Sequence, residues 1–373
     1  MVEKVYIQEE INFDKDGDSH SSFDTNLLFA VNRVKGISNP YIGNKRKILF
    51  WIIKSLDEKG IKYNSVIDLF AGSHCLSIVM KLLGKRVISN DLLYSSHIFG
   101  KAFVENNTLS IDHNDADFLL NNKSGFVPSF SQDSYSSMWE KRFTKREIEI
   151  LDRFRFNVDY LFKDNSIKKA LALANMELYI MDHCFVGGRL NNGQIIAEVK
   201  HRIKHARNRG SEMSFKDAMW HNFNEPFASN ECLSICDDAL TVLMDSCFSA
   251  DLIYIDPPYG DQQSDYFSMY DFLYRFCTGD FGEIVKTKMQ KAFVKSDQYE
   301  NNFRKLIEMS FGKKPKAIAV SYNNSSWTGI DKISGIMKEY AADKKIDVLE
   351  KEYEYQYRDE DNKKGKEYLI VAS

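Results

Sequence analysis

The sequence predicts an α/β fold, a doubly wound, Rossmann-like sheet interrupted by an inserted, mainly helical and more basic domain. Three observations carry this. First, Ser65–Phe70 (SVIDLF) reads as a short strand, Ala71-Gly72-Ser73 breaks it, Leu76–Leu83 reads as a helix, and Lys85–Ser89 (KRVIS) as a second strand closed by Asn90-Asp91. That strand, turn, helix, strand, acid order opens doubly wound domains. Second, the same alternation resumes at Leu233, with strands at Asp251–Ile255 (DLIYI), Lys316–Ser321 (KAIAVS) and Tyr368–Ala372 (YLIVA). Third, between about 110 and 228 strand signals are weak, charged and aromatic residues interleave, and Lys168–Met181 has helical spacing.

Taken in order, residues 1–37 form a polar, turn-rich segment. Its DKDGDS stretch (Asp14–Ser19) has two features of a calcium loop, but the glycine falls too early and no acid closes the loop, so it reads as a solvated turn. Lys45–Leu56 is a helix start followed by apolar residues at helical spacing. The α/β parts are expected over 38–110 and 229–373, and the insertion over 111–228. A length of 373 residues suits two domains, or one large domain with an insertion.

Composition excludes several classes. With 43% hydrophobic and 28% charged residues, the chain is neither disordered nor fibrous. The longest apolar run, Ile48–Ile53, suits a buried helix and is far short of a membrane span. The N-terminus lacks a secretory apolar region, so a cytoplasmic location is expected. A net charge of −3 argues against a globally basic protein, yet a local basic stripe suffices to hold phosphates. The six cysteines make no CxxC pair and no zinc spacing; they are expected to be reduced thiols in or near the core, and no metal site is expected.

The strongest chemical signal is Asp256-Pro257-Pro258-Tyr259, directly after the strand DLIYI. Two prolines end the ladder and stiffen the turn. They also remove N–H donors, which leaves carbonyls and the Asp256 carboxylate as acceptors. At the carboxyl end of a parallel strand such a turn lies where ligands of open sheets bind. Two acceptors and an aromatic face suit a planar group bearing an amino group, with Tyr259 stacked on the ring. A structural turn with a surface tyrosine is the alternative.

DPPY after a strand resembles the S-adenosylmethionine-dependent amino-methyltransferases, in particular the Dam-like N6-adenine DNA methyltransferases. Three more segments fit that family in order: YIGNKRKIL (Tyr41–Leu49), DLFAGSHCLS (Asp68–Ser77) and SNDLLYSS (Ser89–Ser96). The resemblance covers roughly 38–110 and 230–373. It implies that Tyr41, Gly43 and Lys45 help to bind the cofactor's methionine part, and that Asp68, Phe70, Ala71 and Gly72 form its loop. It also implies that Asp91 pairs with ribose hydroxyls and that Asp238 accepts the cofactor's adenine amino group. Gly72 lets the backbone approach a ligand closely. For Asp91 a helix N-cap is the alternative, for Asp238 an N-cap or the competing Asp237, and for Lys45 a solvated helix-end cation. His74 departs from the family's small residue at that position and reads as a loop residue, not a catalyst.

The implied reaction begins with an adenine flipped from double-stranded DNA, because its amino group is otherwise paired. Asp256 and the Pro257 carbonyl accept the amino hydrogens, and the nitrogen lone pair attacks the sulfonium methyl. No covalent intermediate is needed. Tyr266, Phe267 and Tyr270 are candidates for the base pocket or the core, and Tyr322-Asn323-Asn324 ends a strand that should face the site.

The family's order places target recognition in the insertion. Lys200, Arg202, Lys204, Arg207 and Arg209 cluster with His201 and His205, a spacing that neutralises phosphates; Lys141, Arg142, Lys145 and Arg146 form a second cluster. Either is otherwise a solvated face. Arg189 and Asn191 in a polar loop have the chemistry for base edges. Asp182 with Glu198-Val199-Lys200 only loosely fits a metal-dependent nuclease, and the chain is short for a fused one. The main expectation is a monomeric enzyme of a restriction–modification system or phage, with any cognate restriction endonuclease acting separately. An RNA or protein methyltransferase and a catalytically silent DNA-binding regulator are the competing readings.

Overall fold

The computed structural model describes residues 22–35, 45–122, 124–125, 145–186, 189–190, 231–258, 270–279, 293, 298–324, 328–355 and 363–373. Its frame is a seven-stranded sheet. In chain order the strands are β1 (Ser65–Asp68), β2 (Arg86–Asn90), β5 (Leu233–Ile235), β6 (Leu252–Ile255), β7 (Ala317–Asn323), β8 (Ile346–Tyr355) and β9 (Lys363–Ala372). A separate two-residue hairpin, β3 (Phe185–Val186) and β4 (Arg189–Leu190), precedes β5. The spatial order is β5-β2-β1-β6-β7-β9-β8. Strands β5, β2, β1, β6 and β7 are mutually parallel, whereas β9 runs antiparallel to both β7 and β8. The chain therefore winds outward from β1 in one direction and from β6 in the other. Their carboxyl ends meet at the point where connections diverge, which is where open α/β sheets bind ligands.

Alternation along each strand divides the core. Val66, Leu252, Tyr254, Ala317, Ala319, Leu369 and Val371 face one way. They are covered by helices α1 (Ser22–Lys35), α2 (Leu49–Glu58) and α3 (Cys75–Leu82), whose buried residues join the same cluster. Ile67, Ile253, Ile255, Ile318, Val320 and Ile370 face the other way, against α8 (Ala239–Met244), α10 (Tyr299–Gly312) and α11 (Ile330–Tyr340). A period of two with apolar residues on both faces explains why these strands read as near-continuous apolar runs.

The remaining helices extend the first layer. They are α4 (Tyr94–Gly100), a π-helical turn (Lys101–Glu105), α5 (His113–Asn121), α6 (Lys145–Leu161), α7 (Ser166–Cys184) and α9 (Asp271–Thr278). Lys81 on α3 is buried and donates to the carbonyls of Val104 at 2.6 Å and Asn106 at 2.5 Å, closing the end of the π turn. Helices α6 and α7 lie within the expected insertion, yet Phe154, Val158, Leu171 and Met176 belong to the same core as the sheet. Arg155 on α6 donates to the α9 carbonyls of Phe276 (2.7 Å) and Cys277 (3.1 Å), and Cys277 Sγ lies 2.8 Å from Glu177 Oε1 on α7.

The expected strands and helices occur with ends shifted by one to a few residues. The sequence reading marked β5 only as the point, Leu233, where alternation resumes, and missed β8. The first has three residues, and the second (IDVLEKEYEY) is an antiparallel edge strand whose charged residues mask its alternation. One expectation is corrected. Cys75, Cys232 and Cys277 are buried, but Cys236 and Cys247 are exposed, because they fall in turns beyond β5 and α8. Among the described residues, no helix is long and apolar enough to cross a membrane.

Candidate active site

Four carboxylates stand at the carboxyl ends of neighbouring parallel strands: Asp68 on β1, Asp91 after β2, Asp238 after β5 and Asp256 after β6. Asn90 stitches three of these ends together. Its Nδ2 donates to Leu69 O (3.1 Å) and Asp237 O (3.0 Å), while its Oδ1 accepts from Asp237 N (3.1 Å).

The loop between β1 and α3 is held from below. Gly72 has φ +50° and open space where a Cβ would project, so the left-handed backbone is what requires glycine there. Its N–H donates to Asp91 Oδ2 (2.7 Å) and its carbonyl accepts from Ser96 Oγ (2.7 Å); Asp91 Oδ1 accepts from Leu93 N (2.8 Å). Asp91 thus ties the first loop to the second and is not the N-cap residue of α4, which is Leu93. Burial raises its pKa, opposed by the hydrogen bonds from Leu93 and Gly72. Ala71 is buried, with its N–H donating to Asn90 O (2.8 Å).

His74 is more than a loop residue. It is the N-cap residue of α3, fully buried, at φ +55°, a region His enters more readily than most residues. Its Nε2 lies 3.1 Å from Ser96 Oγ. Ser96 gives its hydrogen to Gly72, so Nε2 carries the proton, and Nδ1 is buried without a partner. Burial lowers the His74 pKa to about 3. The ring occupies the space that Gly100 leaves: a Cβ there would lie 2.4 Å from His74 Cε1.

Asp68 is buried, with Oδ2 accepting from Ser77 Oγ (2.7 Å) and Oδ1 lacking a partner. Burial pushes its pKa up to about 7, opposed by the Ser77 hydrogen bond and reinforced by the charges of Asp256 and Asp91. Asp238 is the N-cap of α8, accepting from Leu240 N (2.9 Å). Phe70 meets the Phe293 ring edge-on at 5.2 Å, and Phe293 meets Tyr299 at 5.8 Å.

Lys45 is not a solvated cation. It is 5% exposed, and its Nζ lies 3.3 Å from Asp256 Oδ1 and 3.3 Å from Glu367 Oε2. Burial works against the ammonium, but Asp256 and Glu367 outweigh it and hold its pKa far above the ordinary range. Pro257 is buried, and the carbonyl of Pro258 accepts a short hydrogen bond from Tyr299 Oη. Tyr270 and Tyr322 are core residues.

The carboxyl ends of these strands are therefore rich in acceptors. S-adenosylmethionine offers an ammonium, ribose hydroxyls and an adenine amino group, all donors, so carboxylates at these strand ends, with the orphaned Asp68 Oδ1 among them, fit its chemistry. Sequence reasoning missed Asn90, Ser96, Glu367 and Tyr299. Only Asn90 had a local signal, as a polar residue ending an apolar strand. Tyr41, Gly43, Tyr259, Asn191, Lys200, Arg202, Lys204, Arg207 and Arg209 lie outside the described residues, as do Tyr266 and Phe267. Arg189 opens β4, paired with Val186.

The family model described as D12 class N6 adenine-specific DNA methyltransferase matches residues 41–319. The chain is 28% identical over 342 residues to the Type II methyltransferase M2.HphI of Haemophilus parahaemolyticus, covering 88% of this chain and 95% of that protein. It is 22% identical over 343 residues to the Modification methylase LlaI of Lactococcus lactis subsp. lactis, covering 84% of this chain and 50% of the relative.

Proposed function

The chain belongs to the D12 class N6 adenine-specific DNA methyltransferase family, and from that premise we propose how its residues divide the work of sequence-specific adenine methylation in DNA. The observation that carries the assignment is Asp256-Pro257-Pro258 at the end of β6, facing a crevice of strand-end carboxylates.

When bound, S-adenosylmethionine supplies a methyl group made electrophilic by a sulfonium sulfur. Asp68, Asp91 and Asp238 bind and orient that cofactor, with Phe70, Ala71 and Gly72 as its floor and Tyr41, Gly43 and Lys45 at its methionine end. The target adenine is flipped out of the duplex to reach the crevice, at an unstacking cost of a few kcal/mol. Asp256 and the Pro257 carbonyl accept the two amino hydrogens, and Tyr259 stacks on the ring. This draws the N6 lone pair out of conjugation and aims it at the methyl carbon. As the new N–C bond formed, the methyl's bond to sulfur would break with its electron pair returning to sulfur, leaving the neutral thioether S-adenosylhomocysteine, and the excess proton on N6 would leave through Asp256 to solvent. Positioning and preorganised electrostatics supply the acceleration.

Target recognition is assigned to the chain between 111 and 228. Since α6 and α7 pack into the catalytic core, the DNA-reading part is the stretch after Cys184. There Arg189 and Asn191 read base edges, while Lys200, Arg202, Lys204, Arg207 and Arg209 neutralise phosphates. The names of the two relatives support a modification role within a restriction–modification system; in our reading any cognate endonuclease is a separate protein and this chain acts as a monomer.

The test is transfer of labelled methyl from S-adenosylmethionine to unmethylated genomic DNA, with total RNA and Asp256→Ala protein in parallel. Label recovered as N6-methyladenine in DNA, and lost in the variant, is the expected result. Full activity in Asp256→Ala would overturn the assignment of the acceptor.

A further inference from the structure

Glu367 sits where an apolar residue would be expected. It precedes Tyr-Leu-Ile-Val-Ala on β9 and is opposite Asn323 of β7 in the antiparallel register. Alternation puts it on the face of Leu369 and Val371. The same period puts Asp256 on the face of Leu252 and Tyr254, which is the same side of the sheet. Lys45, on the short helical turn before α2, covers that side. Three elements remote in sequence thus converge on one buried ammonium, 3.3 Å from each carboxylate.

A single buried ion pair between Lys45 and Asp256 would already have been satisfied, so the second carboxylate is not needed to neutralise the lysine. Burying another charge opposes folding unless something is gained from it. The gain is electrostatic. Among the described residues, one ammonium and two carboxylates leave the centre with a net negative charge. Without Glu367 the ammonium would bear more strongly on Asp256, offsetting the charge that must attract the amino hydrogens and the positive charge developing on N6.

We propose that Glu367 is a positioning residue of methyl transfer: by sharing Lys45 with Asp256, it fixes one oxygen of the acceptor carboxylate and preserves the negative charge of the centre. This rests on the assignment of Asp256 as the acceptor of the adenine amino group. Glu367 is buried behind Lys45, so its removal is expected to act on the rate of the chemical step more than on DNA binding.

The full-length chain tests this in single-turnover and steady-state methylation of duplex DNA carrying its site. Glu367→Gln keeps the shape and removes the charge. Its transfer rate should fall about tenfold to a hundredfold, the scale seen when the partner of a ligand that holds a reacting centre is lost. KM for DNA should stay within about twofold of the parent. Because the effect runs through Lys45, Glu367→Gln should add little in a Lys45→Met background, the signature of two residues acting as one unit. Glu367→Asp, which retains the charge at shorter reach, should fall between parent and Glu367→Gln; it carries the test if the glutamine variant does not fold. A parental transfer rate in Glu367→Gln, a change confined to KM, or full additivity with Lys45→Met would each overturn the inference. Loss of DNA methylation by the parent chain itself would instead fail the function assigned above, and the role of Glu367 with it.

Discussion

The phenolic hydroxyl of Tyr299, at the first position of α10, donates a hydrogen bond to the carbonyl of Pro258, the third residue of the catalytic turn. Prolines cannot anchor a turn through N–H groups, so the turn must be held by its carbonyls or by packing. Tyr299 supplies that anchor, and its ring continues through Phe293 to Phe70 in the cofactor loop. The two loops to which we assign the acceptor and the methyl donor therefore share an aromatic support.

Tyr299→Phe removes the anchor and leaves the ring. Stability should fall by about 1 kcal/mol, the usual net worth of such a bond. The transfer rate should fall by more than that implies, about tenfold, since small misplacements of reacting groups are costly. Thermal melting and single-turnover kinetics on one preparation separate the two. An unchanged rate with lowered stability would make Tyr299 a purely structural residue.

In the role proposed for it, Asp68 predicts a pH dependence of cofactor binding with a defined sign. Its folded pKa, about 7, lies above the ordinary carboxylate value, so the unliganded fold favours the protonated form. The fold's stability from this group is complete below the unfolded pKa near 4 and is lost as pH rises through about 7. A cationic ligand reverses the preference. Affinity for S-adenosylmethionine should therefore rise between about pH 6 and 8, with proton uptake by buffer. Calorimetry in buffers of different ionisation enthalpy measures it, and Asp68→Asn should flatten both the pH dependence and the proton release. A flat profile in the parent would refute this role.

His74 and Gly100 fit each other closely. Alanine at 100 would place its Cβ 2.4 Å from both His74 Cε1 and Ser234 Oγ. Gly100→Ala should destabilise the chain by about 1–3 kcal/mol, the range for overpacking a core. It should also raise KM for S-adenosylmethionine, because His74 is tied through Ser96 to the Gly72 carbonyl. His74→Gly in that background should recover part of the loss but not all, since Ser234 remains in the way. Denaturant melts of the three variants decide this; full additivity would show that the ring and the added methyl do not meet.

The sequence by itself determined the sheet's central strands, the turn that carries Asp256, the loop at Gly72 and the acid Asp91. Each is a local event: an apolar run of period two, ended within a few residues by proline, glycine or a carboxylate. Local rules reach that far because backbone sterics and burial act over a few residues. Only the tertiary structure decided what those residues meet. Lys45 read as a cofactor ligand, or else a helix-end cation, because nothing nearby in sequence could neutralise it, and two of its partners lie on β6 and β9. Glu367 and Tyr299 carried no local signal, since their roles depend on strand register and on how α10 packs across the sheet. His74 read as a loop residue because its burial comes from α4, whose Gly100 makes room for the ring. The same holds for α6 and α7, whose apolar faces gave no sign that they would cover the catalytic layer. Pattern sets which groups stand at the strand ends, and the packing of distant segments sets their charge, their hydrogen bonds and hence their chemistry.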